Sequence, residues 1–384
     1  MVKDIYLTIC VPAYNNTAAL ERAINSIKNQ TISKELDVLI SDDCSPNIID
    51  KNKFIKFRRY FRNFKIVRQK NNLGVLTNKS WLFKNMQTEL YSFLEHDDVI
   101  VDLNFYKRAI EAFKSSNKLV VYYGNSIVLH SAFYSNLNHS EIIKSNKSMY
   151  SLDDKSIVGI NKDNSISGDD FISNFTNQKI ELNTSWSAIV FKRETSLKCG
   201  GFGESYTLSD SDASLLSVFR EEENGFIFFL LSLMGDFQLE RNPSVIRIIE
   251  PTSYSNIQKH PARLELQDAM IFGYYKLASF IETNFNSYPI DKILKIIFKL
   301  ISYTPLEYKN KKTKEFFNKY KLKNKIYQKI INASLNNSYQ LRSKFKPLKL
   351  ILKYLDYYFG LYKLLKLINR YLAHCKRLIL NNIF

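Results

Sequence analysis

Three carboxylates within four positions, Glu95, Asp97 and Asp98, follow directly on four mostly apolar residues, Tyr91 to Leu94. Aromatic and aliphatic residues in such a run suit a short buried strand. Like charges this close raise one another's pKa unless a cation or a ring of donors neutralises them. A hard divalent ion, Mg2+ or Mn2+, takes carboxylate oxygens and is the simplest partner. In open α/β sheets, ligands bind beyond the carboxyl ends of strands, which is where this cluster falls. The alternative for an isolated acidic triplet is a solvated turn, so the surrounding pattern has to decide.

That pattern is one of strands alternating with helices. Ile5 to Val11 is an apolar strand ended by Pro12, and the turn Ala13–Asn16 follows. Asn16 or Thr17 can cap a helix whose apolar face is Leu20, Ala23, Ile24 and Ile27. Asp37 to Ile40 forms a second strand, Ile66 to Arg68 a third and Val120 to Tyr123 a fifth after Tyr91–Leu94. A helix containing Trp81, Leu82 and Phe83 precedes the fourth. This order implies βαβ units and a parallel sheet. Each early strand ends in polar residues: Ala13-Tyr14-Asn15, Asp42-Asp43, Asn72-x-Gly74 and Glu95-x-Asp97-Asp98. Strand ends of a parallel sheet share one edge, so the four clusters are expected to converge. No GxGxxG or GxxxxGK[ST] follows the first strand, which excludes a dinucleotide cradle and a P-loop.

Composition sets the outer bounds. The chain has 384 residues, 45% of them apolar and 24% charged, a globular composition. Cys10, Cys44, Cys199 and Cys375 form no CxxC pair, so neither a disulfide framework nor a zinc site is expected, and a reducing compartment fits. The apolar run after Met1 is broken by Pro12 and Asn15 and reads as a strand, not a signal peptide. No uncharged stretch approaches the roughly 18 residues of a membrane-spanning helix. The net charge of +18 is unevenly placed. Residues 1–291 hold 33 Lys and Arg against 34 Asp and Glu. Residues 292–384 hold 22 against Glu307, Glu315 and Asp356. Such an asymmetry points to an acidic partner for the last quarter, nucleic acid or an anionic membrane.

The first 125 residues or so resemble the nucleotide-sugar half of a family 2 glycosyltransferase of GT-A fold, an α/β architecture with a Rossmann-like, mostly parallel sheet flanked by helices. The matching residues are Val11-Pro12-Ala13-Tyr14-Asn15, Asn25-Ser26-Ile27-x-x-Gln30-Thr31, Ser41-Asp42-Asp43-x-Ser45, Asn72-x-Gly74 and Phe93-Leu94-Glu95-His96-Asp97-Asp98. Two departures are visible: Glu95 stands where the family usually has Asp, and Cys44 where it usually has Gly. The resemblance implies that the backbone at Pro12, Ala13 and Tyr14 and the side chain of Asp43 hold the base and ribose. Glu95 would reach the ribose or the water shell of a Mn2+ or Mg2+ ion, and Asp97 would ligate that ion. Asp98 would support the metal site or contact the donor sugar. Asn15, Asp42, Asn72, Gly74 and His96 complete the set expected around a nucleotide sugar, a UDP-sugar foremost. The implied reaction is metal-dependent, inverting transfer to a hydroxyl of a glycan or lipid-linked acceptor, in the synthesis of a bacterial surface polysaccharide such as capsule or lipopolysaccharide.

The acceptor half would occupy residues 126–255, giving a GT-A domain over 1–255. Residues 126–185 are Ser- and Asn-rich with weak periodicity. Trp186 to Phe191 reads as a strand, and Gly200-Gly201-Phe202-Gly203-Glu204 resembles a family turn that shortly precedes the catalytic base. Two acidic groups compete for that role: Asp210 and Asp212, which open a helical run, and Glu222 and Glu223, before the apolar helix Phe226 to Met234. Spacing to Gly235-Asp236-Phe237 and the strand Val245 to Ile249 favours the second. Either could instead be an acidic helix N-terminus complementing the dipole. The chain shows no Ser-His-Asp or Cys-His signature. His96 could tune the acidic motif, and His260 could reach a diphosphate or lie on the surface.

Residues 256–384 turn helical and basic. Leu348 to Leu380 interleaves Leu, Ile and Tyr with Lys349, Lys353, Lys363, Lys366, Arg370, Lys376 and Arg377, the pattern of an amphipathic segment lying in a membrane interface. The expectation is a cytoplasmic protein held peripherally on the inner face of the cell membrane through residues 340–384. A helical cap or oligomer contact is the structural alternative. A nucleic-acid-binding protein using the basic aromatic tail is the competing function, but it leaves the acidic strand ends without a role. A nucleotidyltransferase would want a Gly-rich basic loop where Pro12–Asn16 stands.

Overall fold

In the computed structural model, residues 5–130, 158–176, 186–199 and 230–249 are described, with a few isolated positions beyond them. The strands are β1 Leu7–Ala13, β2 Leu36–Asp42, β3 Asn63–Arg68, β4 Leu90–Phe93, β5 Val99–Ile100, β6 Leu119–His130, β7 Ser165–Ile166, β8 Ile189–Lys192 and β9 Asp236–Ile249. The helices are α1 Thr17–Lys28, α2 Lys51–Ile55, α3 Val75–Asn85, α4 Phe105–Ser115, α5 Gly168–Thr176 and α6 Arg193–Lys198.

The described strands form one sheet in the order β3-β2-β1-β4-β8-β6-β9-β5, with β7 on β9. Every residue of β1 is buried, as a strand covered on both faces requires. No residue of β3 is fully buried, as suits an edge strand. The first four strands are mutually parallel. β8 then reverses the sheet, antiparallel to both β4 and β6, while β6 and β9 are parallel and β5 runs against β9. The parallel sheet expected from the sequence therefore holds for its first half, and the whole is mixed.

Local details depart from expectation for identifiable reasons. Pro12 does not end β1; it pairs opposite Ser41 inside the strand. The carbonyl of Cys10 accepts from Leu94 N–H on the β4 side, and that of Ala13 accepts from Asp43 N–H on the β2 side. By this alternation Pro12 turns its donorless nitrogen toward β4, which has already ended at Phe93, so no ladder bond is lost. Val120–Tyr123 is the start of a twelve-residue strand and the sixth in order, because the two-residue β5 is too short to show a period. Trp186–Ala188 form a 3-10 turn, with the strand beginning only at Ile189. Gly235 leads straight into the fourteen-residue β9.

The helix at 17–28 forms as its sequence indicates. The Asn16 side chain accepts from Ala19 N–H at 3.0 Å, and Leu20, Ala23, Ile24 and Ile27 are buried. The motif Ser26–Thr31 anchors the chain just after the acidic turn. Ser26 Oγ accepts from Ile100 N–H at 3.1 Å, Gln30 Nε2 donates to the Asp102 carbonyl at 2.8 Å, and Thr31 N–H donates to the Leu103 carbonyl at 3.0 Å. Among the described residues no helix is long and apolar enough to cross a membrane. The boundary at residue 255 and the basic segment 340–384 lie outside the described residues.

Candidate functional site

The parallel register brings the ends of β1, β2, β3 and β4 to one edge, and each end is tied to its neighbour by side chains. At β1, Tyr14 is exposed and Asn15 adopts the left-handed region at φ 57°. Asn15 N–H donates to Ser45 Oγ at 2.8 Å, and Asn47 Nδ2 donates to Asn15 Oδ1 at 2.9 Å. At β2, Asp42 is buried. Its Oδ1 accepts from the backbone N–H and hydroxyl of Ser45, and its Oδ2 pairs with Arg68 at 2.7 Å. That carboxylate builds the turn. Cys44 has φ 57°, which explains physically why glycine suits this position: an L side chain is disfavoured there.

Asp43 is also buried and holds the next cluster. Its Oδ1 accepts from Leu73 N–H at 2.6 Å and its Oδ2 from Gly74 N–H at 2.9 Å. Gly74 N–H also lies 3.0 Å from Asn72 Oδ1. Gly74 sits at φ 78°, ψ 162°, a region essentially reserved for glycine, and caps α3. Gly74→Ala is therefore expected to lower stability by about 2 kcal/mol and to loosen the Asp43 clamp, as chemical denaturation would show.

The acidic turn is closed by a hydrogen bond from Asp98 N–H to the Glu95 carbonyl, 3.0 Å, with His96 and Asp97 at its two central positions. Glu95, His96 and Asp97 are half-buried and Asp98 is buried. The Asp98 carboxylate is engaged on both oxygens: Ser187 Oγ donates to Oδ2 at 2.5 Å and Ile248 N–H to Oδ1 at 3.1 Å. Ser187 Oγ in turn accepts from Glu95 N–H at 2.9 Å. One fully buried hydroxyl thus joins both ends of the turn and carries it against the 3-10 turn before β8. Ser187→Ala is expected to cost about 2 kcal/mol, since the donor lost serves a buried charge, and thermal unfolding of the variant measures it.

Glu95 is neutralised by Lys79 of α3, an ion pair in which the lysine side chain is only 7% exposed. Lys79 Nζ lies 5.2 Å from the Trp186 ring centroid and 5.7 Å from that of Phe93, so two aromatic faces support the ammonium. Below them Tyr91, Phe93, Phe83, Phe191 and Trp186 form a buried aromatic cluster. Cys10, fully buried under the edge, has its thiol pushed up by burial and is no nucleophile at neutral pH.

Sequence reasoning missed Lys79 and Ser187. Lys79 had a signal: it lies three and four residues before the buried Leu82 and Phe83, a lysine on the apolar face of its helix. Ser187 had none, being 92 positions from Glu95. The four candidates for a base, Asp210, Asp212, Glu222 and Glu223, lie outside the described residues, as do the Gly200–Glu204 turn and His260.

A divalent ion is testable against these groups. Among the described residues no three carboxylate, histidine or cysteine side chains form a metal cage. Glu95 is paired with a lysine, and both Asp98 oxygens take protein donors. An ion of the magnesium type, which keeps several waters and takes one or two carboxylates plus substrate phosphates, needs no cage. Asp97, at the tip of the turn, fits that requirement.

Residues 8–162 match the family model described as glycosyl transferase family 2. No curated protein matches the chain. Among solved structures, S. aureus TarS 1–349 in complex with UDP is similar at 13% identity and a TM-score of 0.49, covering 89% of this chain and 92% of that one. Its complex with UDP-GlcNAc gives 13% and 0.47 over the same shares. The mannosyltransferase PcManGT from Pyrobaculum calidifontis, in complex with GDP-Man and Mn2+, gives 10% and 0.38, covering 86% of each chain. The mixed sheet flanked by helices, with the family match over its first part, is a GT-A fold.

Proposed function

We propose that this chain, which carries a family 2 glycosyl transferase domain over residues 8–162, is a metal-dependent inverting glycosyltransferase. It would move a sugar from a nucleotide-sugar donor, a UDP-sugar foremost, to a hydroxyl of a glycan or lipid-linked acceptor in surface-polysaccharide synthesis. The observation that carries this reading is the convergence of four polar strand ends on one edge, where the turn Glu95–Asp98 is clamped through Ser187.

The roles follow from what each group touches. The backbone from Pro12 to Asn15 and the loop Asn72–Gly74, fixed by Asp43, form the rim for the base and ribose. Asp42 shapes the turn between them. Glu95, held by Lys79, faces the ribose side, and His96 sits beside it in the turn. Asp97 would hold the divalent ion, and Asp98, engaged by Ser187 and Ile248, would keep the turn in place. The bound ion would offset the negative charge that grows on the departing diphosphate. The acceptor hydroxyl attacks the anomeric carbon as the bond to the diphosphate breaks, and a carboxylate among Asp210, Asp212, Glu222 and Glu223 takes its proton. A single displacement inverts configuration. The basic segment 340–384 would bring the enzyme to an anionic membrane at the inner face of the cell membrane.

A thermal-shift screen of nucleotide sugars tests the reading. At least one UDP-sugar should raise the melting temperature in the presence of Mn2+, and a flat response across UDP-, GDP-, CMP- and dTDP-sugars would refute it.

A further inference from the structure

A second basic stretch lies within the glycosyl transferase domain, far in sequence from the basic tail. Residues 51–70 contain nine Lys and Arg and no Asp or Glu. Three of the nine are matched inside the domain: Lys56 with Glu21, Arg62 with Asp37 and Arg68 with Asp42, each at 2.7 Å. The other six, Lys51, Lys53, Arg58, Arg59, Lys65 and Lys70, are exposed, and none is ion-paired with a carboxylate among the described residues.

Helix α1 adds to the same face. Lys28 Nζ and the Arg59 guanidinium each lie 4.9 Å from the Tyr60 ring centroid, Arg59 donates to Tyr60 Oη at 2.7 Å, and Lys34 donates to the Arg59 carbonyl. The Tyr60 phenol is correspondingly held below its ordinary pKa, first by the Arg59 hydrogen bond and then by the charges of Arg59, Lys28 and Lys34. The nearby carboxylates are few. Glu21 is taken by Lys56, Asp50 caps α2 by accepting from Asn52 N–H, and Glu35 adjoins Lys34.

Aliphatic side chains stand out among these cations. Ile48 is 74% exposed and Ile55 51% exposed, on either side of Lys51 and Lys53. Of the five aromatics in the stretch, Phe54, Phe57 and Phe61 are buried, Phe64 is half-buried, and half-buried Tyr60 is flanked by Arg59 and Lys28, so none is fully exposed. A single-stranded nucleic acid would use exposed rings as stacking platforms. Exposed isoleucines beside lysines instead suit the headgroup and upper acyl layer of a bilayer. The patch also adjoins the candidate site, since Asn47, next to Ile48, bonds Asn15 at the end of β1.

We propose that α2, the 3-10 turn Arg58–Tyr60 and edge strand β3 form a docking face for an anionic lipid surface, separate from residues 340–384. Cations would sit at the headgroups, with Ile48 and Ile55 inserted between them. The domain would then be held by its own surface, in an orientation that keeps the β1 end near the bilayer.

Co-sedimentation of the full-length chain with phosphatidylcholine vesicles, with and without phosphatidylglycerol, tests this. The variant Lys53→Glu/Arg58→Glu/Arg59→Glu should lose at least about tenfold in partitioning to the anionic vesicles. A control with equal charge change on α4 and the turn after it, Lys107→Glu/Lys114→Glu/Lys118→Glu, should lose clearly less. Ile48→Ser/Ile55→Ser, which leaves charge untouched, should also weaken binding. Equal partitioning of the patch variant and wild type, or equal losses in patch and control variants, would overturn the proposal. So would a patch variant that keeps vesicle binding while losing affinity for a single-stranded RNA oligonucleotide. Folding is checked by thermal unfolding, and the uncharged pair decides if the triple variant is destabilised.

Discussion

Asp97→Asn is expected to abolish sugar transfer, with a loss of at least about a hundredfold in turnover, while the melting temperature stays near that of the wild type. Asp97 is half-buried at the tip of a turn whose closure depends on other groups: the Asp98 N–H bond to Glu95 and the Ser187 bridge. Asparagine has nearly the same shape, so the turn should persist. What disappears is a negative oxygen to hold a divalent ion against a diphosphate. Nucleotide affinity in Mn2+ should fall toward the value measured in EDTA. Wild-type turnover in this variant would remove Asp97 from the metal role.

The second large effect concerns Lys79. Replacement by Met keeps the aliphatic volume between Phe93 and Trp186 but strips Glu95 of its counter-charge. Glu95 is 27% exposed, so solvent relieves part of the penalty, and a loss of about 2–3 kcal/mol is expected. The cause can be isolated by a double-mutant cycle with Glu95→Gln. If the ion pair is what the lysine serves, the double variant should be less destabilised than the two single losses added. Strict additivity in chemical denaturation would show that Lys79 acts through packing alone.

Much of this site was legible in the sequence because its parts repeat. Four times a strand ends in polar residues, and parallel strands must bring such ends together. The same logic stops at the middle of the chain. β8 runs against its neighbours, and neither its direction nor the 3-10 turn that precedes it leaves a period in Trp186–Phe191. The contacts that fix the acidic turn are long-range: Ser187 to Asp98 and Ile248 to Asp98, 89 and 150 positions apart. No local rule pairs them. Asp42 and Asp43 stood together as ligand candidates, yet hydrogen bonds divide their work between the Ser45 turn and the Gly74 loop. The sequence shows how many carboxylates there are, and geometry shows which oxygens are already taken. Motif Asn25–Thr31 carries a similar lesson, since its Ser26, Gln30 and Thr31 brace the chain after the turn instead of touching a ligand.

Binding of a nucleoside diphosphate through a divalent ion at Asp97 and the clamped strand ends is the central expectation. Calorimetric titration of the full-length protein with UDP, once in Mn2+ and once in EDTA, measures it most directly. The prediction is binding at least about tenfold tighter in Mn2+, with the difference lost in Asp97→Asn. Equal affinity in both buffers, or a metal effect undiminished by that substitution, would contradict it.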